Sequence, residues 1–251
     1  MGSAYDSLEA ELHDAFWDAE DSPELDWLDA LLKQHPGPAL EVGSGSGRLL
    51  LPLLAKGHKI EGLEPSPAML DLCRESAARQ KLTPVLHEGT MGDFKTTTRY
   101  RSILIPAFTL QLSDDPGADL EVLRKHLTGD GILYLTTFIP YAEIDGELPE
   151  NEWYPDHELE LPDGGKAHLK TRHTIDREAQ TLHREHHYEL TGPNGSREHH
   201  STQTVRWFTA FQLHKLLTDH GFEPERGIGD FDENEPISED SQILTVVARK
   251  A

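Results

Sequence analysis

Cysteine is nearly absent from this 251-residue chain. Cys73 is the sole one, so no intrachain disulfide can form, and its place in the apolar rhythm Met69-Leu70-Asp71-Leu72-Cys73 is that of a small core residue. Long apolar runs are missing too. None approaches the ~20 residues that span a bilayer, and no cationic start leads into an apolar stretch, so no membrane association is expected and the cytoplasm is the expected location. Positive charge is scarce: 23 Lys and Arg stand against 45 Asp and Glu, a formal charge of −22. Nucleic-acid binding depends on cations that neutralise phosphates, so no nucleic-acid partner is expected. What remains, 36% hydrophobic and 27% charged residues, is the balance of an ordinary globule, long enough to bury one core and carry an inserted subdomain.

Periodicity divides the chain into an interrupted α/β pattern. Residues 5 to 34 place Phe16, Trp17, Leu25, Trp27, Leu28, Leu31 and Leu32 at helical spacing, with Ser22-Pro23 as a helix start and His35-Pro36-Gly37-Pro38 as the break. Strands are expected at 39–42, 58–63, 84–88, 101–106 and 131–138, and helices at 46–56, 67–80 and 117–127. Such alternation specifies a doubly wound, mostly parallel sheet with helices on both faces and ligands at the carboxyl ends of its strands. After Pro140 the pattern changes. Residues 141–164 are acidic and turn-rich, and the polar alternating segments 166–175, 181–190 and 197–208 read as an antiparallel meander. The α/β pattern then resumes: Thr209 is a helix N-cap, Gly221 a stop, and strands follow at 222–228 and 242–249. The expected domains are an N-terminal helical segment (1–35) that covers a cofactor, an α/β core (36–140 and 209–251), and an inserted lid (141–208).

The most informative stretch is Ala39-Leu40-Glu41-Val42-Gly43-Ser44-Gly45-Ser46-Gly47-Arg48. A short apolar segment ending in an acid enters a three-glycine turn, where glycine permits backbone angles and close approaches that a Cβ forbids. A dinucleotide fingerprint needs G-x-G-x-x-G/A, but the sixth position counted from Gly43 is Arg48, which speaks against a nicotinamide-dependent dehydrogenase. The spacing is E-x-G-x-G-x-G.

That loop resembles motif I of the class I S-adenosylmethionine-dependent methyltransferases, and three later segments extend the resemblance over roughly residues 36–138. In His58-Lys59-Ile60-Glu61-Gly62-Leu63-Glu64-Pro65 the family places the carboxylate that holds the ribose hydroxyls, here Glu64. Val85-Leu86-His87-Glu88-Gly89-Thr90-Met91 is similar to the third-strand motif facing the adenine, although many members carry Asp where Thr90 stands. Ser102-Ile103-Leu104-Ile105-Pro106-Ala107-Phe108 is similar to the segment that ends beside the transferred methyl group. The resemblance implies a seven-stranded Rossmann-like sheet and S-adenosyl-L-methionine as cofactor. The implied binding residues are Tyr5, Glu41, Gly43, Ser44, Gly45, Gly47, Arg48, Glu64, Pro65, Met69, Thr90, Met91, Pro106 and Phe108; Tyr5 matches the N-terminal tyrosine with which some relatives close over the methionine end.

Methyl transfer from a sulfonium is an in-line displacement in which the protein aligns a nucleophile and excludes water. An amine acceptor needs only to be bound neutral, whereas an oxygen acceptor calls for a base. Seven of the 15 histidines, His168, His173, His183, His186, His187, His199 and His200, fall in the meander. His183, Glu185 and His187 share one strand face, but such a run more often forms the wet face of a sheet, and no metal is expected. His186 and Tyr188 lie on the opposite face and are the candidate base or acceptor contacts. Thr109 and Gln111 leave the fourth strand near the methyl position, and Gln111 is taken as a third catalytic candidate. Phe108, Trp153, Tyr154 and Trp207 are candidates for an apolar acceptor pocket. The expected function is N- or O-methylation of a small molecule; a non-catalytic cofactor-binding protein and a homodimeric assembly stay open.

Overall fold

All four residues of β1 (Ala39–Val42) are buried, because the strand lies inside a parallel sheet and is covered on both faces. It pairs in parallel with β2 (Ile60–Glu64) on one side and β4 (Tyr100–Ile105) on the other. β2 continues to β3 (Val85–Glu88), and β4 to β5 (Leu127–Phe138). The last two strands of the chain, β10 (Phe222–Gly229) and β11 (Ile243–Lys250), are added antiparallel, giving the order β10-β11-β5-β4-β1-β2-β3. The order reverses between β1 and β4, which opens a ligand crevice at the carboxyl ends of the strands. The computed structural model describes residues 8–16, 23–161, 164–193 and 195–251.

The two faces of the sheet carry separate cores, as a two-residue side-chain period requires. Ile103, Ile105, Leu133 and Leu135 belong to one, whereas Leu104, Ile132 and Tyr134 belong to the other. The second core is roofed by α2 (Pro23–Gln34), through Trp27, Leu28 and Leu31, and by α3 (Leu50–Ala55). α4 (Pro67–Gln80) and α5 (Pro116–His126) both begin with a proline after a side-chain cap: Ser66 accepts from Met69 N–H and Asp115 from Ala118 N–H. Among the described residues, no helix is long and apolar enough to cross a membrane.

The insertion opens with a single turn, α6 (Tyr141–Ile144), and forms a four-stranded antiparallel sheet rather than a three-stranded one. Its strands are β6 (Tyr154–Glu160), β7 (Lys166–Asp176), β8 (Thr181–Gly192) and β9 (Gly195–Arg206), paired in that order. The extra strand β6 lies in the stretch read as acidic and turn-rich. It is an edge strand with Pro155 and four acidic or histidine residues, a composition that suits an edge and conceals a strand. α1 (Leu8–Phe16) packs Leu8 and Leu12 against Ala167, Leu169 and Tyr188 of this sheet. A further departure is α3, expected from residue 46 but beginning at Leu50. Gly45 and Gly47 hold φ of +52° and +91°, which no right-handed helix contains. α7 (Ala210–Asp219) starts at Thr209 as expected, with a capping box closed by Gln212.

Candidate cofactor and acceptor site

The glycine loop leaves β1 and folds back on β2. Gly43 and Ser44 N–H both donate to Leu63 O, at 2.8 and 3.1 Å, and Gly47 N–H donates to Ser44 O at 2.9 Å. Gly45 N–H donates to Glu64 Oε2, and Ser66 N–H to Glu64 Oε1, each at 2.9 Å. Glu64 therefore ties the loop to the start of α4. A carboxylate offers about four acceptor sites, so the same group can also receive hydroxyl donors. The three glycines differ in their surroundings. A Cβ on Gly43 would stand 2.6 Å from Thr109 and one on Gly47 2.8 Å from Cys73, whereas one on Gly45 would meet only Met69 Cε at 3.5 Å. Gly45 is thus the point of the loop open to a ligand, with Met69 beside it. Ser44 turns its hydroxyl down onto Gly62, where it is buried without a hydrogen-bond partner; toward a ligand it presents only backbone.

Two carboxylates lie deeper. Glu41, expected from the motif, is 2% exposed and its Oε2 has no hydrogen-bond partner. Burial pushes its pKa well above the usual value; Glu24 and Glu64 add to the rise and Arg48 opposes it. Glu24, which the sequence reading missed, comes from the first turn of α2. Its Oε1 accepts from Tyr134 OH at 2.9 Å and Thr136 Oγ1 at 3.1 Å, and Ala107 N–H approaches Oε2 at 3.3 Å. Burial raises its pKa against the pull of these donors. Nothing local marks Glu24, since an acid in a helix's first turn is ordinary; only packing brings it to Glu41. This acidic, partly unsatisfied end of the crevice fits a ligand that carries a cation.

Around it, Pro106 is buried and its carbonyl accepts Thr109 N–H and Oγ1. Phe108 takes a left-handed φ of +64° and meets Phe138 edge-on, with ring centroids 4.9 Å apart. Met91 is buried, Pro65 is exposed, and Thr90 is exposed with its hydroxyl engaged by Asp93. Tyr5 lies outside the described residues. Gln111 must be corrected as an acceptor contact. It is 1% exposed, donates to the carbonyls of Phe138 and Arg206 and accepts from Phe138 N–H, so its amide is consumed in clamping the end of β4 to β5 and to the lid.

The inserted sheet, labelled the lid after its expected role, meets the main sheet near Phe138. Arg184 sits over the Phe138 ring, 5.6 Å from its centroid, and pairs with buried Glu143 at 2.5 Å. His186 and Tyr188 follow on the same strand face, 8% and 7% exposed. Tyr188 OH donates to Glu9 of α1 at 3.0 Å, which fastens α1 to the lid. On the outer face, His183 meets Thr204, Glu185 pairs with Arg172 and His187 approaches Glu198. Among the described residues, no three His, Cys, Asp or Glu side chains are gathered to hold a metal. Trp153 is 41% exposed on that outer face and is not a pocket wall. Tyr154 reaches His173 on the inner face, and Trp207 is core.

Residues 39–131, from β1 to β5, match the family model described as a methyltransferase domain. The matched stretch takes in the glycine loop and the acid at the end of β2 that holds it, so this part of the core is similar to a methyltransferase domain. No curated protein matches it in sequence. Solved structures share this chain's fold at low identity. An S-adenosylmethionine-dependent methyltransferase from Clostridium acetobutylicum ATCC 824 has a TM-score of 0.80 at 13% identity, covering 96% of this chain and 97% of that one. The CcbJ methyltransferase from Streptomyces caelestis has 0.77 at 23%, covering 99% and 98%. The sugar N-methyltransferase KedS8 from Streptoalloteichus sp ATCC 53650 has 0.70 at 20%, covering 98% and 96%. Such coverage takes in the lid as well as the core, so the inserted sheet belongs to the shared architecture.

Proposed function

We propose that this protein moves the methyl group of S-adenosylmethionine to a nitrogen or oxygen of a small polar acceptor held between core and lid. The observation that carries this reading is Glu64, whose two oxygens hold Gly45 and Ser66 N–H beside the one glycine open to a ligand. When bound, S-adenosylmethionine supplies an electrophilic methyl on a positively charged sulfur. Glu64 would hold the ribose hydroxyls, the Thr90-Met91 pair would flank the adenine, and buried Glu41, with Glu24 behind it, would face the cationic methionine end. The protein's part is alignment and exclusion of water, with Phe108 and Phe138 as an apolar wall and the lid as the cover. A relative named as a sugar N-methyltransferase supports an amine on a polar molecule as the acceptor. The formal charge of −22 disfavours a nucleic acid, and a lone, buried Cys73 accords with the reducing cytoplasm.

Thermal unfolding with S-adenosylhomocysteine, with NAD as control, tests this reading. A ligand at about 100 times its Kd stabilises by about 2.7 kcal/mol, so a rise of several degrees is expected with the first ligand and none with the second. A mass-detected screen of small amines and alcohols then identifies the acceptor. Saturating S-adenosylhomocysteine that neither shifts the transition nor gives calorimetric heat would overturn the reading.

A further inference from the structure

We propose that His186 accepts the acceptor's proton through Nε2, and that Thr171 and Asp156 are positioning residues that place the lone pair on that nitrogen. The inference rests on the methyl-transfer reading and assigns a base to it. The register of the lid puts Thr171, His186 and Ser201 side by side across β7, β8 and β9. Thr171 Oγ1 donates to Asp156 Oδ2 at 2.7 Å and lies 3.0 Å from His186 Nδ1. A hydroxyl has one proton, and a carboxylate can only accept it. Thr171 must therefore receive a hydrogen bond from His186, so Nδ1 carries the ring proton and Nε2 of the neutral ring is left with the lone pair.

Two further observations show a built site. Asp156 is the extra residue of a β-bulge: pairing passes from Pro155–Lys170 to His157–Leu169 and skips it. Bulges re-aim side chains beside active sites, and here the bulge brings the carboxylate to Thr171. In addition, His173 Nε2 and Ser201 Oγ are buried without hydrogen-bond partners. Buried polar groups of that kind are rare in folded proteins, and on this face they offer hydrogen bonds to a polar acceptor. Arg184, on the same face two residues before His186, lies over Phe138, which touches Phe108 beyond the end of β4. The row is thereby held at the methyl end of the crevice.

The charged groups around the ring are Glu9 on α1, Asp156 on β6 and Arg184 on β8. Burial lowers the His186 pKa most, Arg184 lowers it further, and Glu9 and Asp156 oppose them, so the ring is neutral at neutral pH. In the step, an oxygen acceptor gives its O–H proton to Nε2 as the oxygen forms the bond to the methyl carbon; an amine acceptor forms that bond with the lone pair it already has, and the N–H proton of the resulting ammonium passes to Nε2. The methyl–sulfur bond breaks with its electron pair left on sulfur. The imidazolium, its Nδ1–H still held by Thr171, then loses the Nε2 proton to water.

The test has two arms. Ring 15N NMR on histidine-labelled protein, with His186 assigned by its loss in His186→Gln, reads the tautomer directly. The Nδ1–H form is expected in the native protein and in Thr171→Ser, and its loss in Thr171→Val. The second arm uses the acceptor found by the amine and alcohol screen. His186→Gln should lower kcat by about 100-fold or more and remove the acid limb of the kcat–pH profile, with S-adenosylhomocysteine affinity unchanged. Thr171→Val should move that limb, and Thr171→Ser should restore it. An Nε2–H ring, or a His186→Gln enzyme at the native rate, overturns the relay while leaving methyl transfer standing. Failure to bind S-adenosylhomocysteine overturns the methyl-transfer reading itself.

Discussion

At Gly43 and Gly47 an added Cβ would press within 2.6 Å of Thr109 and 2.8 Å of Cys73, but at Gly45 only Met69 Cε stands near, at 3.5 Å. The same substitution should therefore have different outcomes along one loop. Gly45→Ala is expected to fold, at about 1–2 kcal/mol for its left-handed backbone, and to lose S-adenosylhomocysteine affinity by calorimetry. Gly43→Ala should lose distinctly more stability, because the strain adds to a clash with a side chain anchored on Pro106 O. Equal stability of the two variants would show that the contact at Thr109 relaxes freely. Glu41 gives a pH prediction. Its folded pKa is raised, so the folded state holds the proton more tightly than the unfolded chain; stability is highest below the ordinary carboxylate range and falls as pH rises toward the folded value. Glu41→Gln should accordingly melt higher than the native protein at pH 7–8, by about 2–4 °C per kcal/mol relieved, and should converge with it at acid pH. It should also bind S-adenosylhomocysteine less well. A native melting point that does not rise relative to Glu41→Gln on acidification would contradict this. Glu41, Gly45 and Glu64 were legible because their chemistry is local to a motif. Glu24 was not, because its role depends on Tyr134 and Thr136, more than a hundred residues away in the chain.

Element boundaries were legible wherever a cap or a proline fixes them, as at Ser66-Pro67, Asp115-Pro116 and Thr209. They were misread at α3, where left-handed glycines overrule an apolar helical rhythm, and at β6, where an edge strand carries the composition of a loop. The attachment of α1 was also hidden: Leu8 and Leu12 pack on the lid and Glu9 receives Tyr188 OH, contacts that no local pattern in the sequence announces. Severing that bond tests the attachment. A hydrogen bond to a charged group is worth about 1.5–3 kcal/mol, so Tyr188→Phe should speed amide exchange in residues 8–16 by about tenfold or more while leaving α7 protected. Unchanged exchange would mean that apolar contact alone holds α1, and retained methyl transfer in this variant would remove Tyr188 from the candidate catalytic set.

The lid reads in the sequence as a separate body: polar, alternating, bounded by Pro140 and Thr209. Its packing is less independent. Leu182, paired with Val205 across β8 and β9, joins Trp207 in the same core as Ile103, Ile105 and Leu133 of the main sheet, and Gln111 bonds the carbonyl of Arg206 at the end of β9. Two apolar positions, Leu182 and Val205, set among polar and charged residues are weak sequence evidence, which is why this seam was not foreseen. A body whose apolar foot is part of another's core cannot unfold alone without exposing that core. Calorimetry of the whole chain should therefore show one transition, with the calorimetric and van't Hoff enthalpies in agreement. Leu182→Ala tests the coupling at its centre. Losing a fully buried leucine is worth about 2–5 kcal/mol, so the single transition should fall by roughly 5–15 °C, at about 2–4 °C per kcal/mol, and stay single. A low-temperature transition confined to residues 154–206, with the main sheet melting unchanged, would make the lid a separate domain. In that event its inner face could open without disturbing the fold, and Leu182 would be a hinge contact of the lid instead of a part of the common core.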